Sequence, residues 1–284
     1  MQEPSQNKPT IGFIGQGWIG KNYADDFENR GYSVIRYGLE PEYVQNIEKI
    51  KECDMVFIAV PTPTRPSGFD LSYIESVLPL VGNNKVAVIK STIIPGSTKK
   101  LSEEFSHCTV VHSPEFLLEK TAAYNAAHPD RNIIGVPVLD EKNKKIAQEI
   151  LNILPKAHYE LICSSAEAEL IKYAHNSHGY LQVVFANILF DLGVAHGADW
   201  DRIKEACGAD PYMIDKYMNP VHKSGRGAGG GCFIKDFEAF IESYASSVPD
   251  EAGKKTLEAI RDKNVKLLKE SHKDLNKISE VYGA

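Results

Sequence analysis

Five cysteines, Cys53, Cys108, Cys163, Cys207 and Cys232, are scattered along the chain, and one of them stands where it could do chemistry. Cys232 ends the run Gly229-Gly230-Gly231-Cys232 and leads into Phe233-Ile234-Lys235-Asp236. Glycines let backbone and substrate come close, and a thiolate is a strong nucleophile near neutral pH. Lys235 nearby would favour the thiolate. A cysteine so placed could act as a covalent nucleophile. An isolated cysteine is more often buried and inert, which is the reading for the other four. None forms a Cys-x-x-Cys pair, so neither a disulfide framework nor a zinc site is expected, and the setting is a reducing, cytoplasmic one.

A second constellation is Gly15-Gln16-Gly17-Trp18-Ile19-Gly20, which follows an apolar strand-like run and opens a helix-like one. In that context the first glycine permits a tight turn, the second lets a pyrophosphate reach the backbone, and the third lets helix and strand pack closely. The phosphates then meet free N–H groups at the positive end of the helix. These residues point to a dinucleotide. The acid that usually hydrogen-bonds the adenosine ribose at the end of the second strand is missing. Arg36-Tyr37-Gly38 stands there, and the nearest acid is Glu40. NAD is the favoured cofactor, and because an arginine could accept a 2′-phosphate, NADP stays open.

Lys172 and Asn176 are four apart and would share one helix face. A lysine on a helix is by default a solvated charge, so this pair carries no chemistry unaided. His175 and His178 lie three apart, but no third ligand clusters with them, and no metal site is expected.

These residues need elements to hold them. Apolar runs of three to six residues rich in Val and Ile recur in the first half, at 10–14, 32–37, 55–60, 86–90, 109–111 and 132–136. Helix-like stretches such as 19–29 and 71–81 separate several of them. Short buried strands alternating with helices are the form of a doubly wound parallel sheet, a Rossmann-type α/β fold. Asp70 is placed to cap the helix that follows it. The character changes at Ser164-Ser165-Ala166-Glu167, which reads as a capping box. From there a helical pattern runs to about Ala195, and the remainder is helical apart from the glycine-rich loop at 225–231. Residues 254–282 alternate charges like a solvated helix. The expected organisation is an α/β dinucleotide-binding domain over 1–163 and an all-helical domain with a long central helix over 164–284.

Composition bounds the partners. Hydrophobic residues at 43% and charged residues at 25% fit an ordinary soluble domain pair. A net charge of −6 gives no overall attraction to nucleic acid or anionic lipid. The polar N-terminus lacks the apolar core of a secretory signal. The apolar run near 183–195 is broken by Asn187 and Asp191 and is too short for a membrane span.

Further segments narrow the chemistry. Val60-Pro61-Thr62-Pro63-Thr64, Lys90-Ser91-Thr92-Ile93-Ile94-Pro95-Gly96-Ser97-Thr98 and Ser113-Pro114-Glu115-Phe116-Leu117-Leu118-Glu119 precede Ala168-Glu169-Leu170-Ile171-Lys172-Tyr173-Ala174-His175-Asn176 and the loop ending in Cys-Phe-Ile-Lys-Asp. Together, in order, and across nearly the whole chain, they closely resemble the UDP-glucose/GDP-mannose dehydrogenase family. The resemblance implies a four-electron oxidation of a nucleotide-sugar C6 hydroxyl to a carboxylate, with two NAD⁺ and a thioester on Cys232. It implies that Lys172 and Asn176 hold the reacting oxygen as charge develops and that Asp236 orients water and lysine. Glu115 and Glu119 would stand near the site, one of them a candidate base for thioester hydrolysis, and Thr92 would help position water. Pro61, Thr62, Thr92 and Glu119 would join the glycine loop in holding the cofactor. Glu115, Phe116, Leu117, Lys172, Asn176, Lys223 and Gly229 would contact the nucleotide-sugar. The long helix from Ser164 resembles the family's dimer-forming helix, implying a homodimer.

The sequence departs from the family in two places. The family's third domain, which helps enclose the nucleotide, does not follow the helical region, so a shortened form is expected. The stretch between the second strand and Asp54 is also short. Two other readings stand beside the first. One is a two-electron β-hydroxyacid dehydrogenase, which shares the domain pair and the Lys/Asn helix but leaves Cys-Phe-Ile-Lys-Asp without a purpose. The other is a non-catalytic NAD-binding remnant, or a subunit whose partner supplies the missing domain.

Overall fold

The computed structural model describes residues 8–213 and 215–283. Its contacts divide into two compact units, Met1–Thr62 with Asp70–Lys172, and Pro63–Phe69 with Tyr173–Ala284.

The first unit carries strands β1 (Ile11–Ile14), β2 (Val34–Tyr37) and β3 (Met55–Ile58), with helices α1 (Trp18–Asn29) and α2 (Ile47–Ile50) between them. A two-strand excursion, β4 (Thr64–Arg65) and β5 (Gly68–Phe69), belongs to the second unit. The first unit resumes with α3 (Ser72–Val77), β6 (Val86–Ile89), α4 (Ser97–Glu104), β7 (Thr109–His112), α5 (Ala122–Ala127), β8 (Arg131–Val136), α6 (Glu141–Ile153) and β9 (Tyr159–Ser164). The sheet order is β2-β1-β3-β6-β7-β8-β9. Every residue of β1 and β3 is buried, because helices cover both faces of a doubly wound sheet and leave no polar side. Phe13 of β1 stacks on Phe57 of β3 at 5.1 Å, and Phe27 of α1 closes on Phe13 at 5.6 Å.

The order turns at β1, whose neighbours β2 and β3 lie on opposite sides. The crevice beyond the carboxyl ends of such strands is where this architecture takes ligands. The strands are parallel except where β7 meets β8, through the single pair His112–Gly135. There the chain re-enters the sheet from the end it left, so the sheet is mixed rather than wholly parallel. Strand β9, parallel to β8, has no counterpart among the apolar runs of the sequence. Its Tyr159 is exposed and only Cys163 is buried.

Helix α7 (Ser165–Ala195) leaves the sheet through the expected capping box. Glu167 accepts from the Ser164 N–H and hydroxyl, both at 2.7 Å, and Ser164 Oγ accepts from Glu167 N at 3.4 Å. The second unit then adds α8 (Trp200–Gly208), the hairpin β10 (Val221–His222) and β11 (Gly225–Arg226), α9 (Gly230–Ser247), α10 (Glu251–Glu270) and α11 (Leu275–Tyr282). Tyr180 of α7 stacks on Phe237 of α9 at 3.9 Å, with Val184, Ala228 and Ile241 around them. A second cluster joins Ile234, Leu268, Ile278 and Val281. Residues 254–282 are therefore not one solvated helix. They break at His272 and Asp274, both left-handed, and α10 and α11 each bury one face. The β4–β5 hairpin packs on α9, where Thr64 Oγ1 donates to the Lys235 carbonyl at 2.9 Å. Among the described residues α7 is the one helix long and apolar enough, by length and composition, to cross a membrane. Its Leu181, Phe185, Ile188 and Leu192 are exposed.

Candidate active site

In the first unit the predicted cofactor residues gather at the carboxyl ends of the parallel strands. The loop Gly15 to Gly20 joins β1 to α1. Gly15 has φ +90°, and a Cβ there would lie 2.5 Å from the Ala59 carbonyl oxygen at the end of β3. A Cβ on Gly20 would collide with the Gly15 carbonyl, whereas one on Gly17 would meet nothing within 4 Å. Helix α1 begins after Gly17 with no side-chain cap and no acid in its first turn. Its free N–H groups and open backbone are what a pyrophosphate requires, so these residues fit a dinucleotide. Trp18 is exposed, while Ile19 packs against the sheet core.

Pro61 and Thr62 follow β3, and Thr92 follows β6. The Thr62 hydroxyl, buried, donates to the Thr92 carbonyl at 2.7 Å, which draws the two strand ends together. Beneath them lies a buried polar cluster. Lys172 donates to the Glu115 carbonyl at 2.7 Å and to its Oε1 at 3.1 Å, while Glu115 Oε2 accepts from Leu117 N at 2.7 Å. Both partners are about 95% buried, so Lys172 is no solvated surface charge. Phe116 is covered by Arg131 at 3.8 Å, and Leu117 packs against the sheet core. Glu119 stays exposed in a short 3-10 turn.

Two members of this cluster carry no role in the sequence reading. Lys90, buried, donates to Ser113 Oγ at 3.1 Å and sits 4.4 Å over the Tyr23 ring. Burial lowers its pKa to about 7, Glu115 opposing and Lys172 adding to the shift. Glu169 is fully buried and accepts from Gly96 N, Thr98 N and Thr98 Oγ1 at 2.6–2.8 Å, so α7 caps the start of α4. Burial raises its pKa against those hydrogen bonds. An acid and a lysine three apart within an apolar helical stretch were the available signal. Near them, burial holds His112 down at about 3.

In the second unit Cys232 is the third residue of α9 and is exposed. Cys53, Cys108 and Cys163 are buried, and burial pushes each thiol up to about 11. The first turn of α9 carries no acid of its own and follows Gly229; beyond the Gly230 N–H taken by Asp274, its N–H groups favour negative charge at Cys232. Asp236, one turn on and 1% exposed, accepts from Asn176 Nδ2 at 2.6 Å and from Lys235 Nζ at 2.5 Å. Gly229, the residue before α9, lies against Asp274, and Gly230 N donates to Asp274 Oδ2 at 2.7 Å. Lys223 stands at the exposed turn of the β10–β11 hairpin with φ +56°. Lys172 and Asn176 follow one another by one turn of α7. Among the described residues no group of three His, Cys, Asp or Glu could hold a metal.

Comparison with known proteins gives these residues a context. The model of the UDP-glucose/GDP-mannose dehydrogenase family NAD-binding domain matches residues 42–154, and that of its central domain matches 166–266. The first match begins beyond the glycine loop. A UDP-glucose 6-dehydrogenase of Rickettsia bellii is 33% identical over 223 residues, which is 75% of this chain and 49% of that protein. A UDP-glucose dehydrogenase structure from the archaeon Pyrobaculum islandicum superposes with TM-score 0.78 at 27% identity, over 92% of this chain and 70% of that one. The fold is shared at 16% identity, with TM-score 0.72, by 3-hydroxyisobutyrate dehydrogenase of Mycobacterium tuberculosis, over 97% of this chain and 98% of that one. This chain spans about half or less of the first curated relatives it matches.

Proposed function

This chain belongs to the UDP-glucose/GDP-mannose dehydrogenase family, and from that premise we propose that it oxidises the C6 hydroxyl of a nucleotide-sugar to a carboxylate through Cys232. The observation that carries the reading is the contrast among its thiols. Cys232 is exposed in the first turn of α9, whose leading N–H, that of Gly230, is met by Asp274, with the buried Asp236–Asn176 pair one turn further on. The Gly15–Gly20 loop would hold NAD⁺, which would supply the hydride acceptor for each of the two oxidations.

The protein's part is to hold and move protons and to trap the aldehyde. Lys172 and Asn176 hold the C6 oxygen, and the hydroxyl proton passes to water as the first hydride departs to the cofactor. The Cys232 thiolate adds to the aldehyde carbon, forming a thiohemiacetal whose oxygen the same donors stabilise. Loss of the second hydride leaves a thioester. Water ordered by Asp236 and Thr92 then cleaves the carbon–sulfur bond, with Glu115 or Glu119 taking a proton, and the thiolate is returned. Glu115 would meet this role from its pairing with Lys172, and Glu119 from an exposed turn. Lys223 and Gly229 contact the nucleotide-sugar.

The exposed Leu181, Phe185, Ile188 and Leu192 recur every three or four residues along α7, the stripe a second copy of the chain would cover. The five cysteines are not joined in disulfides, in keeping with a reducing cytoplasm.

The test is NADH production across a panel of nucleotide-sugars, with the product identified by mass. Two NADH per sugar and a carboxylate product are expected. One NADH per substrate would favour a two-electron hydroxyacid oxidation. Cofactor binding without sugar binding or turnover would make the chain a non-catalytic subunit, or one needing a partner.

A further inference from the structure

The carboxyl end of β2 is where a dinucleotide-binding sheet offers an acid to the adenosine ribose. Here that end is Arg36-Tyr37-Gly38, with no carboxylate at all. Glu40 reaches the place from the other direction. A Cβ built on Gly38 would collide with Glu40 Oε2 and would lie 3.3 Å from Cγ of Gln16 in the dinucleotide loop. An acid at position 38 would send its side chain through the space that this oxygen holds. Glu40 Oε2 is itself buried and has no hydrogen-bond partner. A carboxylate oxygen cut off from water is costly without a donor, and a ribose hydroxyl is such a donor.

Arg36, the alternative reader of this position, is already spent. Its Nε and NH2 fork onto Glu28 at 3.0 and 2.8 Å, and NH2 also reaches Asp25 at 2.6 Å. Asn46 Nδ2 donates to the Arg36 carbonyl at 3.0 Å and fixes the strand end. The charge of the guanidinium is matched by two carboxylates of α1 and its NH1 turns to Gln16 Oε1 at 3.5 Å, so a 2′-phosphate would have to compete for it, and Glu40 would repel one.

We infer that Glu40 is the carboxylate that binds the adenosine ribose, standing in for the side chain that Gly38 lacks, and that it makes this chain select NAD⁺ over NADP⁺. The inference rests on the reading that the Gly15–Gly20 loop binds NAD⁺. Gly38 and Glu40 work as a pair. The glycine vacates the strand end, and the glutamate fills it from two residues downstream.

The test is calorimetric titration of the full chain with NAD⁺, NADP⁺ and an NAD⁺ analogue lacking the adenosine 2′-hydroxyl. The wild type should bind NAD⁺ at least about tenfold tighter than either of the others, the scale of a charge-assisted hydrogen bond. Glu40→Ala should weaken NAD⁺ binding by about tenfold to hundredfold and bind the deoxy analogue as well as NAD⁺. Its melting temperature should hold or rise, because a buried unpaired oxygen is removed. Adding Gly38→Asp to Glu40→Ala should restore NAD⁺ binding, which a merely structural role would not. Wild-type affinity for NAD⁺ in Glu40→Ala, or equal wild-type affinity for NADP⁺, overturns the inference alone. A wild type that binds no NAD⁺ overturns it together with the reading of the loop.

Discussion

Two glycine-rich loops open helices in this chain, and they are finished in opposite ways. The loop before α1 spends Gly15 and Gly20 on close packing of its own backbone, and leaves Gly17 and the first turn of α1 open. The loop before α9 is tied down by its own chain. Asn264 bonds both the N–H and the carbonyl of Ala228, at 2.7 and 3.0 Å, and Lys273 reaches the carbonyls of Gly225 and Gly227 at 3.3 and 2.8 Å. Ser271 accepts from Arg226 N at 3.0 Å, and Arg226 in turn grips Asn187 and Asp191 of α7. On the proposed function, the first loop keeps its polar groups unmet for a cofactor, while the second has its own met in advance to hold a nucleophile.

The largest effect expected from breaking this contrast is at the tip of the second loop. Cys232→Ser should lower carboxylate formation on the order of 10⁴-fold, with the melting temperature unchanged because the thiol is exposed. An unchanged product yield would remove the thiol from the mechanism. Behind the tip, Asn264→Ala should cost about 2–4 kcal/mol in urea unfolding, since it strands both buried groups of Ala228.

The unfinished side also contains charge that burial opposes. Lys90, with its pKa lowered to about 7, sheds its proton earlier in the folded than in the unfolded state. Between about 7 and the ordinary lysine value the unfolded chain binds more protons, so stability rises with pH across that window. Lys90→Met should flatten that slope and add about 1–4 kcal/mol at pH 7, read from urea midpoints at several pH values. His112, held down at about 3 by burial, acts in the same direction lower down. As pH falls from the ordinary histidine value towards 3, the unfolded state takes up a proton that the folded state refuses, and stability is lost.

The smallest effect sharpens the comparison most. Gly17→Ala should change urea stability by under about 0.5 kcal/mol, since its Cβ meets nothing, yet weaken NAD⁺ binding where a pyrophosphate must approach. Equal stability losses at Gly17 and Asn264 would dissolve the distinction between the loops.

Much of the first unit could be read from the sequence, for a physical reason. A strand buried on both faces is an unbroken apolar run, and β1, β3 and β6 each appear as one. Strand β9 did not, because Tyr-Glu-Leu-Ile-Cys-Ser lies partly open at the edge of the sheet. The hairpins β4–β5 and β10–β11 have two residues per strand and leave no period to find. At the site, residue types were legible but partners were not. Lys172 meets Glu115 from 57 residues away, and Asn176 meets Asp236 from 60. Neither spacing leaves a local mark. Lys90 and Glu169 leave no mark of a buried role in the sequence, because charged residues are seldom fully buried.

The short hairpin β4–β5 bears on how the chain is made. It emerges among the first seventy residues, yet the unit it joins consists otherwise of Tyr173–Ala284. The carbonyl that Thr64 bonds belongs to Lys235, 171 residues on, and α11, which also packs on the β4 strand, lies later still. During synthesis the hairpin must wait for all of that intervening chain before its partners exist. The second unit is therefore a late, long-range closure, and a fragment beginning at Tyr173 would start life without one of its own parts.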